Sequence, residues 1–235
     1  MIKTIIDGVD ADKYIYKTDL KFADDFSQQL LKKVLTDPVS SLVFRNNYDN
    51  PIKNPVDTYN RIGRDKSKEL LRRARQVRNK FPNESEFISF TQYFLTEQDS
   101  EEFLNLTPNF LKEITPGEPV PIFQISHGGH LLPPHKGHKR KSSLFMLLQG
   151  NQEETRWYQE TESFELITTT RIPDLDKVEH VVSAQIEPGY WYVFNHLEWH
   201  SVHKFGNGIR MNIGLDFDSI TAPELIEIIK NAGNR

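Results

Sequence analysis

From residue 120 onward the chain breaks into short β-rich runs divided by turn residues, and this texture constrains the fold more than any other feature. The runs are PIFQISH (121–127), KSSLFMLLQ (141–149), TRWYQE (155–160), ESFELITTTRI (162–172), HVVSAQIE (180–187), GYWYVFNH (189–196), HSVHKF (200–205) and GIRMNIGLDF (208–217). Short strands at such regular spacing predict an all-β sandwich or barrel. The last run alternates cleanly. Met211, Ile213, Leu215 and Phe217 point one way, and Arg210, Asn212, Gly214 and Asp216 the other. The apolar set is expected to pack beneath helices, which turns the polar set towards the inside of the β-structure. A buried Arg210 then needs an anion, either a ligand carboxylate or an internal Asp or Glu.

The first 115 residues read differently. Residues 22–36 predict an amphipathic helix with Phe22, Phe26, Leu30 and Val34 on one face, and residues 65–80 a second helix. Residues 40–46 and 86–95 predict strands, the latter aromatic and β-rich. Thr107 followed by Pro108 predicts a helix start over 107–114. At the far end, Thr221 and Glu224 frame Pro223 as a capping box for a terminal helix over 221–231. The division expected is a helix-rich region, 1–115, packed on a β-core, 116–235, as one integrated domain.

Composition removes several function classes. The net charge is −4, which argues against a nucleic-acid-binding protein. The basic residues concentrate in 61–80, but Leu70, Ala74, Val77 and Phe81 recur there at helical spacing, so a solvated helix accounts for them better than a nucleic-acid patch. No apolar run approaches the ~18 residues of a membrane span, and residues 1–14 lack the apolar core of a signal peptide, so a soluble cytoplasmic protein without a membrane partner is expected. The chain has no cysteine, which excludes disulfides, thiolate metal sites and cysteine catalysis.

The eight histidines are confined to His127–His203, and none precedes them. Clustered imidazoles in a cysteine-free chain point to a metal with N/O ligands. Two segments carry them, HGGHLLPPHKGHKRKSSLFML (127–147) and GYWYVFNHLEWHSVHKFGNGIRMNIGLDF (189–217). In a double-stranded β-helix, the cupin-like jelly roll, an early and a late strand lie side by side in the mouth, so ligands far apart in sequence meet at one ion.

Pro134-His135-Lys136-Gly137, the segment Gly189 to Phe194, then Asn195, His200, Arg210, Asp216 and Thr221 follow one another in an order and spacing that resemble the aspartyl/asparaginyl β-hydroxylase branch of the Fe(II)/2-oxoglutarate-dependent dioxygenases. The resemblance covers residues 119–225. It implies a mainly β, double-stranded β-helix core that binds iron(II) through His135 and His200. It implies that Arg210 binds the distal carboxylate of 2-oxoglutarate. The reaction implied hydroxylates a C–H of an amino acid, a peptidyl Asp or Asn, or a related small substrate, with dioxygen as oxidant. Most of the larger superfamily adds a carboxylate two residues after the first histidine. Gly137 stands there, as it does in this branch, where solvent takes that place. Leu144 replaces the branch's arginine on the strand after His135, with Phe145 and Met146 beyond it, and Ser142, Ser143 or Arg140 is expected to take over part of the carboxylate binding.

The remaining histidines have other readings. His138 is a third nitrogen ligand or, with His130, lines the mouth for substrate. His196-Leu197-Glu198 matches His-x-Glu but stands where the distal histidine belongs, which His200 fits better. His203, three residues past His200, falls on the opposite strand face. Trp191 and Trp199 are expected as core or rim aromatics, and Asn195 and Asp216 as supports for the ligands. Two alternatives compete with the hydroxylase: a cupin metalloenzyme using His135, His138 and His200 without 2-oxoglutarate, and a non-enzymatic jelly-roll binding protein.

Overall fold

The computed structural model describes residues 13–37, 42–48, 60, 63–81, 89–115, 117–127, 131–137, 140–150, 153–166, 173–204 and 209–233. In chain order the elements are β1 (Ile15–Lys17), α1 (Asp24–Thr36), β2 (Leu42–Tyr48), α2 (Arg64–Lys80), β3 (Ser89–Leu95), α3 (Glu97–Leu106), α4 (Asn109–Lys112), β4 (Val120–His127), β5 (Leu131–His135) and β6 (Ser142–Gln149). There follow β7 (Glu153–Glu160), a 3-10 turn (Leu175–Lys177), β8 (Val178–Ala184), β9 (Trp191–Asn195), β10 (Trp199–Lys204), β11 (Arg210–Phe217) and α5 (Ala222–Gly233). The protein is mainly antiparallel β-sheet with a few helices, one of them C-terminal.

A seven-stranded sheet runs β1-β9-β6-β11-β4-β3-β2, and a four-stranded sheet runs β5-β10-β7-β8. Strands β1, β2 and β3, from the first 115 residues, extend the larger sheet on both sides of the strands that follow residue 116. The sheets divide the core into three layers. Met211, Ile213, Leu215 and Phe217 of β11 pack behind the large sheet with Phe26, Leu30 and Val34 of α1, Phe103 of α3 and Leu225, Ile226 and Ile229 of α5. The helix side of β11 is therefore the one its alternation predicts. Behind the small sheet, Leu70 and Val77 of α2, with Phe81, pack on Leu131, Tyr158 and Trp199. Between the sheets, Phe145, Leu147, Trp157, Val182, Tyr192 and Phe194 form the third layer.

The apolar stripe of α2 is buried as predicted, at Leu70, Ala74 and Val77. Part of the basic excess is paired internally: Arg73 donates to Glu69 and to the Glu165 carbonyl, and Arg72 to Glu69 and Asp174. Several boundaries differ from expectation. Thr107 does not start a helix. It ends α3, its amide bonding the carbonyls of Phe103 and Leu104, and α4 spans only Asn109–Lys112. Helix α3 was not expected; the Thr96 hydroxyl caps it by accepting from the Asp99 amide three residues on. Residues 162–166 form no strand, and 167–172 lie outside the described residues. Strand β5 is unexpected because Pro133 and Pro134 cannot donate to a ladder. It sits at the edge of the small sheet, where prolines are tolerated. The capping box of α5 holds: Glu224 accepts from both the amide and the hydroxyl of Thr221. Among the described residues no helix is long and apolar enough to cross a membrane.

Candidate metal centre

The two histidines singled out by the motif are direct neighbours. Strand β10 runs antiparallel to β5 with His200 opposite His135, and their ring centroids are 4.3 Å apart. In each ring Nδ1 is 2.9 Å from the carbonyl two residues back, Pro133 for His135 and Glu198 for His200. A carbonyl only accepts, so each Nδ1 carries the proton and each Nε2 keeps its lone pair. The His135 ring also meets the His200 backbone, and no side chain among the described residues hydrogen-bonds either Nε2. Burial pushes His135 down to about 4, with Arg140 adding to the effect, and holds His200 well below its ordinary value, helped by His135. Both rings are thus neutral, singly protonated on Nδ1 and tilted at 56° to one another; neutrality with a free ring nitrogen is the state a metal-binding imidazole requires. The supporting partners are backbone carbonyls, not the expected side chains. Asn195 instead bonds the Lys13 carbonyl and the Leu197 amide, and Asp216 pairs with Arg140 at 2.9 Å.

Among the described residues no third His, Asp or Glu joins this pair as a metal-ligand cluster. His130 and His138 lie outside the described residues. Position 137 cannot supply a side chain. A Cβ there would come within 2.6 Å of the Arg140 carbonyl and 2.7 Å of the His196 Cβ, and the Gly137 amide is tied to the His196 carbonyl at 2.7 Å. The glycine in place of a carboxylate is therefore enforced by packing. His196, set aside in the sequence reading, is 5.6 Å from His200 between ring centroids. Its Nε2 is 2.9 Å from the Ser143 hydroxyl, and its buried Nδ1 has no hydrogen-bond partner among the described residues. Phe194 lies edge-on to His200 at 4.8 Å and closes one side.

The other predicted residues separate. Ser143 lies beside His196 on the inner face of β6. Ser142 lies on the opposite face and donates to the Ile220 carbonyl, so it is turned away from the pair. His203 points to the other side of β10, against Phe81 and Ser201, as alternation requires. His180 is exposed. Trp191 stacks on Phe22, and Trp199 is buried with its indole N–H on Glu160, so both are core aromatics.

Arg210 faces the space between the sheets and is buried there. Its Nε donates to Glu153 Oε1 at 2.8 Å, and its two terminal nitrogens have no hydrogen bond among the described residues. Of the two anions considered for it, the structure places an internal carboxylate on Nε. Glu153 went unnoticed in the sequence, although it stands two and four residues before Thr155 and Trp157 on the inward face of β7. All three bear a buried polar atom without a partner among the described residues: Glu153 Oε2, Thr155 Oγ1 and Trp157 Nε1. Trp157 lies opposite His200 in the ladder, so this row begins beside the histidine pair and ends at Arg210.

No family model matches the chain, and no curated protein does either. Similar solved structures are E. coli YcfD, described in one structure as a ribosomal oxygenase, and a Pseudomonas putida prolyl-4-hydroxylase. One YcfD structure is 13% identical, covers 60% of this chain and 36% of its own, with a TM-score of 0.35. The ribosomal oxygenase structure is 16% identical over 60% of this chain and 33% of its own, at 0.32. The prolyl hydroxylase is 11% identical over 89% and 95%, at 0.42. The chain thus spans about a third of YcfD. Likenesses this distant leave the function to be read from the site itself.

Proposed function

We propose that this protein is a soluble, cytoplasmic iron(II)-dependent oxygenase that uses 2-oxoglutarate to hydroxylate a C–H of an amino acid, a peptidyl Asp or Asn, or a related small substrate. Strands β4 to β11 form its double-stranded β-helix, with residues 1–115 packed around that core. The observation that carries the reading is the pair His135 and His200, facing each other with Nδ1 fixed by backbone and Nε2 left as donor. The donor set suits a divalent iron that must keep open positions: two nitrogen ligands, and no carboxylate because Gly137 admits none. Bound there, iron(II) with 2-oxoglutarate and dioxygen supplies C–H hydroxylation, releasing succinate and carbon dioxide.

The chain's own groups position and exclude. Burial keeps the two imidazoles neutral at physiological pH, and the carbonyls of Pro133 and Glu198 fix their planes. Phe194 and Trp157 keep water from the inner side of the pair. Arg210 reaches the ligand's far carboxylate with its terminal nitrogens while Glu153 holds Nε. Ser143 orients His196 beside the metal position.

A thermal-shift series tests the reading. Mn(II), an inert stand-in for iron(II), is expected to raise the melting temperature, and 2-oxoglutarate to raise it further only with the metal present. The His200→Ala variant should lose both responses. A wild type indifferent to metal overturns the proposal. One observation favours a second reading, a jelly-roll metalloenzyme without a 2-oxo acid: Arg210 is already paired to Glu153. A metal response with no added response to 2-oxoglutarate or its analogues would select that reading.

A further inference from the structure

Glu153 is a carboxylate in the wrong place for a pocket that must hold a dicarboxylate. It is 4% exposed, one of its oxygens is bound to Arg210, and the other, Oε2, has no partner among the described residues. Beside it, Arg210 offers terminal N–H groups that no described residue accepts from. The floor of the space between the sheets therefore presents a hydrogen-bond donor and a hydrogen-bond acceptor next to each other. Two further unpartnered atoms, Thr155 Oγ1 and Trp157 Nε1, stand between that floor and the histidine pair, on residues 1% and 0% exposed.

We propose that the inner face of β7 is the wall along which the 2-oxo acid lies, and that Glu153 selects a co-substrate whose far end is a primary carboxamide over one ending in a carboxylate. A carboxamide complements the floor on both sides: its oxygen accepts from Arg210, and its NH2 donates to Glu153 Oε2. A carboxylate satisfies Arg210 but sets its second oxygen against Oε2, two like charges in a water-poor space. The row of polar atoms on β7 suits the rest of the chain, with the indole N–H nearest the metal end, where the ligand's oxygens concentrate. This inference rests on the reading that His135 and His200 hold a metal for a 2-oxo acid, and it narrows which 2-oxo acid that is. 2-Oxoglutarate remains a ligand, held more weakly.

The test is a calorimetric titration of Mn(II)-loaded protein with two probes that do not turn over, N-oxalylglycine and its terminal amide. They stand in for 2-oxoglutarate and for its terminal amide. The wild type is expected to bind the amide about tenfold tighter than the acid, the scale of one buried mispaired group. In Glu153→Gln the Oε1 contact to Arg210 is kept and an NH2 replaces Oε2, so the order should invert and the acid should bind tighter. A wild type that binds the acid as tightly as the amide overturns the inference, whatever Glu153→Gln does, and so does an unchanged ratio in a folded Glu153→Gln; the 2-oxo-acid reading survives either result. If Mn(II) binds and neither probe does, that reading fails, and this one with it.

Discussion

Behind the large sheet, Met211, Ile213, Leu215 and Phe217 meet the apolar faces of α1, α3 and α5; on the other side of the same strand, Arg210, Asn212, Gly214 and Asp216 look into the space between the sheets. The first face is filled by hydrocarbon. The second holds the unmatched polarity. Of the seven buried side-chain polar atoms without a partner among the described residues, four (Glu153 Oε2, Thr155 Oγ1, Trp157 Nε1 and His196 Nδ1) lie between the sheets. Each such atom costs about 1–3 kcal/mol of desolvation in an empty fold, so a cluster of them marks a place kept for something other than stability. Strand β10 repeats the contrast with one residue type. His200 and His203 are both buried and neutral, but His203 spends its Nε2 on Ser201 while His200 keeps its own.

Three variants sharpen or break this division. The largest effect is expected from Phe217→Ala on the helix side, which should cost about 3–5 kcal/mol in denaturant unfolding. Metal affinity measured on the folded protein should be unchanged. A matching loss of metal affinity would show that the two faces are not independent. Next comes Gly137→Asp, which writes the superfamily's missing carboxylate back into the motif. Its Cβ collides with the Arg140 carbonyl and His196, so the variant should lose about 1–3 kcal/mol and bind metal no better than wild type. A tighter metal site in Gly137→Asp would mean that the packing at this position yields. The smallest effect belongs to His203→Gln. Burial, reinforced by Arg156, holds His203 down to about 3 in the fold against about 6.5 when unfolded. The unfolded chain therefore binds the extra proton as pH falls from 6.5 towards 3, and stability drains away across that window. His203→Gln removes this proton uptake, so its acid-unfolding midpoint should move to lower pH while stability at pH 8 changes little. An unmoved midpoint would show that His203 carries none of the acid sensitivity.

Much of this was legible in the chain. The period-two alternation of β11 decided which side meets helices, because a strand must turn alternate residues to opposite faces. The stripe of Leu70, Ala74 and Val77 gave α2, and the Thr221–Glu224 pair the start of α5. Less legible was β5, whose two prolines mask an edge strand, and α3, whose cap at Thr96 was overlooked in favour of the Thr107-Pro108 pair next to it. The supports of His135 and His200 left no trace at all, since they are carbonyls that every residue possesses.

By itself, the sequence determined the β-rich core, the helix-facing row of β11, and the order in which His135, His200 and Arg210 arrive, because each depends on local period or on spacing along one chain. Tertiary structure alone decided the rest: that His200 lies opposite His135, that His196 packs over Gly137, and that Glu153 rather than solvent meets Arg210. Those contacts join strands that are distant in sequence and belong, for Glu153 and Arg210, to different sheets. No local pattern can encode them, since they are set by how the two sheets close on one another.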